Sequence, residues 1–205
     1  MSSLTELYTQ IQSCRDCELG KTRTRAVPGE GPEDARIFFI GEAPGWHEDQ
    51  QGRPFVGPAG QFLEQLLASV NLKRSQVYIA NVIKCRPPGN RDPLPGEIQA
   101  CSKWLDRQLE LLRPKMIVTL GRYSMARYFP NQSITKIHGR ATKRDDVIYY
   151  PMYHPAAALH QGTLRKTIEE DMLKIPKIMA QAEKLTEGAA EPQQLSLFWK
   201  NDGQA

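Results

Sequence analysis

The sequence predicts an α/β domain with a parallel sheet between two layers of helices, and three observations carry that prediction. Four apolar runs, residues 37–40, 77–80, 116–120 and 147–150, are rich in β-branched and aromatic residues and lack strict polar alternation. Strands buried on both faces read this way. Segments of helical periodicity lie between the runs, and crossover helices between successive strands make a sheet parallel. Motifs that each open or turn on a reactive-looking group stand just past the runs: Gly41-Glu42-Ala43-Pro44-Gly45, Asn81-Val82-Ile83-Lys84-Cys85 and His154-Pro155-Ala156-Ala157-Ala158-Leu159, while residues 116–120 stop at Gly121. Parallel sheets bind ligands beyond the carboxyl ends of their strands. Glu42, Phe55 (in Gly52-Arg53-Pro54-Phe55-Val56-Gly57), Asn81 and His154 are therefore expected to converge on one pocket.

The elements follow in order. Leu4, Leu7, Tyr8 and Ile11 share one helical face, predicting a helix over residues 3–13. Residues 14–34, rich in Gly, Pro and charge, read as irregular. The first strand leads into a loop, then a helix opening near Pro58 with Phe62, Leu63, Leu66, Leu67 and Val70 as its apolar stripe. The second strand runs into Arg86-Pro87-Pro88-Gly89-Asn90-Arg91-Asp92-Pro93, a loop by composition. Pro95 suits the first turn of a helix reaching about Arg113. A third strand, a short helix over 122–129 and a fourth strand follow. The last helix covers about 163–185 and should be disturbed at Pro176. Residues 1–185 form the expected domain, and 186–205 a flexible linker and tail.

A chain of 205 residues with formal charge +4 and pI near 8.9 has room for a sizeable core and is compatible with a polyanionic partner. Met1-Ser2-Ser3-Leu4-Thr5-Glu6 has no basic head, and no apolar run approaches membrane-spanning length, so the expectation is a cytoplasmic monomer with no membrane role. Four cysteines in such a chain point to metal or catalysis rather than disulfides. Cys14-Arg15-Asp16-Cys17 has the spacing that lets two thiolates grip one centre, and Cys85 and Cys101 complete a set of four. Zinc and an iron–sulfur cluster both accept four thiolates.

The ordered motifs 41–45, 52–57 with Ala59-Gly60, 81–90 and 154–159, together with the four cysteines, resemble the family 4 uracil-DNA glycosylases, the iron–sulfur branch of the uracil-DNA glycosylase superfamily. The resemblance spans residues 14–178. It implies a three-layer sandwich with a four-stranded parallel sheet and a 4Fe–4S cluster on Cys14, Cys17, Cys85 and Cys101, with iron favoured over zinc. It also implies base excision from uracil-containing DNA by hydrolysis of the N-glycosidic bond after base flipping. Residue by residue, Phe55 would stack on the extruded uracil, the Asn81 amide would read its polar edge, backbone around Gly41, Glu42 and Ala43 would line the pocket, and His154 would donate to uracil O2. Some branches carry a carboxylate or Asn where this chain has Ala43, so the catalytic carboxylate must come from elsewhere. Glu42 is the first choice, with Glu48 and Asp49 as alternatives. Two departures stand out: Trp46-His47 where acidic residues are common, and His138 where Arg is common.

The chemistry agrees with these roles. An enzyme acting on a base takes it out of the stack and holds it by stacking and edge hydrogen bonds, and Asn carries both a donor and an acceptor. Donors at O2 stabilise the departing uracil anion, and a carboxylate supports the sugar cation or positions water. Each residue also has a plainer role: His154 can cap a helix, Asn81 tie a turn, Phe55 fill the core, and Glu42 accept from N–H groups at a helix start.

Lys84, Arg86, Arg91, Arg140 and Arg165 are candidate phosphate contacts on the pocket rim, and Leu159 a candidate apolar wedge. In the tail, Gln194-Leu195-Ser196-Leu197-Phe198 resembles the bacterial sliding-clamp-binding pentapeptide, with Gln194, Leu195, Leu197 and Phe198 as the contacting residues, tethered beyond a Gly/Ala/Pro linker. Two rival functions remain. One is a covalent uracil-DNA trap, whose branch has a basic insertion ending in a nucleophilic His, whereas residues 86–100 here contain no His. The other is a non-catalytic metal-cluster protein that binds nucleic acid.

Overall fold

In the computed structural model, which describes residues 3–187, β1 (Ile37–Gly41) is an interior strand of the sheet. It pairs in parallel with β2 (Tyr78–Asn81) on one side and β3 (Met116–Leu120) on the other, and β3 pairs in parallel with β5 (Val147–Met152). All four apolar runs are therefore strands of one parallel array. The sheet nonetheless has five strands, in the order β2-β1-β3-β5-β4, which corrects the expected count of four. The extra strand, β4 (Thr142–Arg144), is antiparallel to β5 and joined to it through Asp145, which sits at φ 52°. It escaped the sequence reading because three residues, two of them charged and half-buried, carry no apolar run.

Side chains alternate across the pleat. Phe39, Val118 and Met116 face one core, while Phe38, Ile40 and Ile117 face the other. The first core is closed by α4 (Pro58–Ser69) and α9 (Gly162–Glu187) through Leu63, Leu66, Ile168, Met172 and Ile175. The second is closed by α1 (Leu4–Ser13) and α5 (Pro95–Leu112) through Leu7, Ile11 and Leu105. Phe38 and Phe39 are fully buried, and each contributes about 1.5–3 kcal/mol. Ser3 caps α1, accepting from Glu6 N–H while Glu6 accepts from Ser3 N–H.

Further details add to the expected elements. A short helix, α2 (Leu19–Thr22), lies inside the segment read as irregular, and α3 (Trp46–Gln51) occupies the expected loop after β1. The helix expected over 122–129 is shorter, α6 (Arg122–Ala126); α7 (Ile134–Ile137) follows before β4, and α8 (Pro155–His160) follows β5. Helix α9 carries Pro176 inside it, with Ile175 and Ile178 on either side anchored in the core. It reaches Glu187, so the expected boundary at residue 185 falls inside it. Among the described residues no helix is long and apolar enough to cross a membrane. Gln194, Leu195, Leu197 and Phe198 lie outside the described residues.

Candidate active site

Gly41 and Asn81 stand level at the ends of adjacent strands. Hydrogen bonding continues past them, from Val82 N–H to Gly41 O (3.0 Å) and from Ile83 N–H to Glu42 O (3.2 Å), so Glu42 and Asn81 leave the sheet side by side. Gly41 must lack a side chain: a Cβ there would collide with Asn81 Oδ1 and lie 2.7 Å from the Phe55 ring. Asn81 is buried, yet its Oδ1 has no hydrogen-bond partner. Leaving such a group unpaired costs about 1–3 kcal/mol, so this acceptor is aimed at something other than protein.

Phe55 reaches the same place by a backbone that few residues adopt. Its φ is 50°, in the left-handed region, which costs a non-glycine residue about 1–3 kcal/mol. Arg74 holds it there, donating to the carbonyls of both Pro54 and Phe55 (3.0 Å to the latter) and through Nε to Glu30 Oε1 (3.1 Å). Glu30 also takes both arms of Arg53 at 2.9 Å, and the Arg53 and Arg74 guanidinium groups hold its carboxyl down to about 2. The Phe55 ring stacks on His154, with centroids 5.5 Å apart and planes inclined by 26°.

His154 caps α8: Ala156 N–H donates to its Nδ1 at 3.1 Å. An accepting Nδ1 carries no proton, so the neutral ring carries it on Nε2. Burial pushes the imidazole down to about 4, against a smaller opposing pull from Glu48. The ring is therefore neutral near pH 7, with one N–H to donate. Its expected capping and binding roles coexist, on opposite nitrogens.

Glu42 lines the cleft, and its Oε1 accepts from Tyr123 N–H (3.3 Å) at the start of α6. Burial raises its carboxyl, and the backbone N–H groups of Tyr123 and Arg122 and the Arg122 charge act the other way. Gly121, at φ 93°, admits this carboxylate, since a Cβ there would collide with Glu42 Oε1. The two alternative carboxylates have other employment. Glu48 accepts from Gly45 N–H (3.1 Å) through one oxygen and from Val56 and Gly57 N–H (both 2.8 Å) through the other. Asp49 accepts from Thr24 N–H with both oxygens, at 3.0 and 3.2 Å. Glu48 borders the cleft but serves to tie the 41–45 loop to the 52–57 turn.

These groups enclose a cleft of about 250 Å³ whose outer wall is Pro87 and residues 90–93. Arg91 on that wall is paired with the buried Glu97 at 3.0 and 2.6 Å, and Arg86 donates to Asn90 Oδ1 at 2.6 Å. Of the other rim candidates, Arg140 and Leu159 are exposed. Arg165 lies between α4 and α9, bonded to Glu169 and Gln65 and lying over the Phe62 ring. Lys84 is a correction. It is 1% exposed, donating to Asn81 O (2.8 Å) and Gln108 Oε1 (2.6 Å), and cannot reach a phosphate. Its position beside Arg86 had suggested a basic rim, but the chain turns inward after β2. The Arg74–Glu30 clamp and the α6 amides on Glu42 had no sequence signal, since their partners are 44 and 81 residues apart.

A second, small cavity is ringed by Cys14, Cys17, Cys85 and Cys101, with Arg23, Lys84 and Trp104 beside them. All four thiols are free. Arg23 donates to Cys85 Sγ (2.9 Å) and Lys84 N–H to Cys101 Sγ (3.3 Å), and the Trp104 Nε1–H is buried without a partner. Burial pushes Cys101 up to about 11 and raises Cys85, with the neighbouring cations Lys84 and Arg23 opposing.

The cleft thus brings together a stacked aromatic pair, an amide oxygen with no protein partner and a half-buried carboxylate. The chain belongs to the uracil DNA glycosylase superfamily, whose family model matches residues 28–174. It is 50% identical to a type-4 uracil-DNA glycosylase of Sulfurisphaera tokodaii, over 87% of this chain and 86% of that protein. Against a type-4 uracil-DNA glycosylase of Thermotoga maritima it is 42% identical, over 83% of this chain and 92% of that one. A type-5 uracil-DNA glycosylase of Pyrobaculum aerophilum is more distant, at 33% over 71% of each.

Proposed function

We propose that this chain is a uracil-DNA glycosylase of the type-4 kind, hydrolysing the N-glycosidic bond of deoxyuridine in DNA. The observation that carries the reading is the unpaired Asn81 Oδ1 beside the Phe55–His154 stack. Phe55 offers a face to an extruded base. Asn81 accepts from N3–H with Oδ1 and donates to O4 with its NH2. Cytosine presents the reverse polarity on that edge and meets like against like.

As the glycosidic bond stretches, negative charge gathers on uracil and positive charge on the sugar. Neutral His154 donates Nε2–H to O2 and spreads the leaving group's charge without having to transfer a proton. Glu42, fixed by the α6 amides, places a negative charge beside the sugar cation and orients the attacking water. Among the described residues no lysine lines the cleft, which supports water rather than an amine as the nucleophile and a monofunctional enzyme.

Cys14, Cys17, Cys85 and Cys101 hold a 4Fe–4S cluster. All four cysteines ring one cavity, as four-thiolate ligation of such a cluster requires. The surrounding Arg23, Lys84 and Trp104 donors suit an anionic group there. When bound, the cluster supplies a cross-link between α1, the segment after β2, and α5. Arg86, Arg140 and Leu159 contact DNA on the rim, and the 194–198 peptide engages a sliding clamp from beyond α9.

The test is an oligonucleotide with one uracil, treated with purified protein and then alkali. Strand scission at the uracil only after alkali is the expected result. An intact strand overturns the enzymatic reading, and a protein–DNA band that survives denaturation points to covalent trapping instead.

A further inference from the structure

Among the described residues Lys84 is the most deeply buried lysine or carboxylate side chain, the mechanism does not use it, and its surroundings say what it does. The side chain is 1% exposed, and no carboxylate pairs with it among the described residues. Its ammonium donates to the main-chain carbonyl of Asn81 (2.8 Å) and to Gln108 Oε1 (2.6 Å). Gln108, on α5, is fixed in turn: its Nε2 donates to Pro28 O (2.8 Å) and to Tyr78 OH (2.9 Å), and Tyr78 OH meets Tyr8 OH at 2.6 Å. Lys84 also lines the cysteine cavity, and its own N–H donates to Cys101 Sγ. A buried ammonium needs both hydrogen-bond acceptors and a compensating negative charge. The carbonyls of Asn81 and Gln108 meet the first need. The cysteine sulfurs ringing the adjacent cavity would meet the second as the thiolate ligands of a bound cluster.

We propose that Lys84 is a positioning residue for base recognition: it braces Asn81 from behind, against Gln108 on α5. Two structures otherwise described separately, the pocket that reads uracil and the cavity ringed by cysteines, share this side chain. Asn81 projects its amide from the last residue of β2, and its main-chain carbonyl is what Lys84 holds. Removing the ammonium frees the carbonyl and lets the strand end, with its unpaired Oδ1, drift from the position set by Gly41.

This proposal rests on the uracil reading, and its test separates the two. The holoprotein is compared with Lys84→Met, Asn81→Ala and the double variant. Met keeps the length of the side chain and loses its charge and donors. Iron content and visible absorbance are recorded for each variant, and single-turnover excision and binding of free uracil are measured per cluster. Lys84→Met is expected to lower both excision rate and uracil affinity by about 10- to 100-fold, with DNA affinity unchanged. It should cost less than about threefold more in the Asn81→Ala background, because coupled residues are not additive. A Lys84→Met loss of the same factor in both backgrounds, or no loss in either, overturns the proposal. Should Lys84→Met fail to fold, Gln108→Leu removes the other anchor of the ammonium without touching a cysteine. A loss confined to the Asn81 background is then the supporting result, and wild-type behaviour the refuting one. Wild-type protein that binds uracil with this coupling but cuts no glycosidic bond would end the enzymatic reading and leave the role of Lys84 intact.

Discussion

Replacing His154 with Gln should remove part of the fall in stability between about pH 7 and pH 5. Burial holds the native imidazole at about 4, against an ordinary value near 6.5. Between those values the unfolded chain binds a proton that the native ring refuses. Stability therefore falls as pH drops through the window and is level above it. At pH 5 a shift of about 2.5 units amounts to about 2 kcal/mol. The ring is partly exposed at the cleft, so solvent screening reduces this to about 1 kcal/mol. Glutamine retains an acceptor for Ala156 N–H and does not titrate. Glu42, whose carboxyl burial raises, acts in the opposite sense, losing stability as pH rises, and cancels in the comparison. Urea denaturation of wild type and H154Q at several pH values reads the difference. An NMR titration of the ring, assigned by its absence in H154Q, should show it neutral throughout the window. Parallel stability curves, or a ring titrating near 6.5, would refute both the neutral tautomer and the donor role at O2.

Asn81→Ala should slow uracil excision by about 100-fold, as expected on losing preorganised donors and acceptors, with the fold intact by circular dichroism. Arg74→Met removes the clamp on the Phe55 backbone. A loss of about 1–2 kcal/mol in denaturation together with weaker uracil binding is the expected pair, and stability loss without any change in binding would count against the clamp. Cys101→Ala should abolish the brown chromophore and the bound iron, measured by absorbance and metal analysis. Replacing Gln194 and Phe198 together by Ala should abolish clamp binding by calorimetry and leave excision on short DNA unchanged.

The parallel core was legible because buried strands must be apolar on both faces, and residues 37–40, 77–80, 116–120 and 147–150 are. The pocket was legible for a related reason. Groups at the ends of such strands have nowhere to go but the crevice, which is where Glu42, Asn81 and His154 meet, joined by Phe55 from the turn before α4. What stayed hidden was whatever depends on a partner distant in sequence. Nothing around Glu48 distinguishes a catalytic carboxylate from one that accepts three main-chain N–H groups. Nothing around Lys84 announces a buried strut rather than a surface cation, because its environment is supplied by Gln108, 24 residues on. The β4 strand escaped because hairpin pairing at an edge needs no apolar stretch.

That same edge has a bearing on how the molecule survives at high concentration. Open strand edges are templates on which other chains polymerise. Here one margin ends in β4, three residues long and carrying Lys143 and Arg144. The opposite margin, β2, is already occupied: Glu30 and Ile79 exchange both main-chain bonds, at 2.9 and 2.8 Å. The residue that closes that border is also the one whose carboxylate anchors Arg74 beneath Phe55. Fraying at residue 30 would thus expose a sticky border and disarm the pocket at once, so damaged copies that cling to one another would also be copies that have ceased to act.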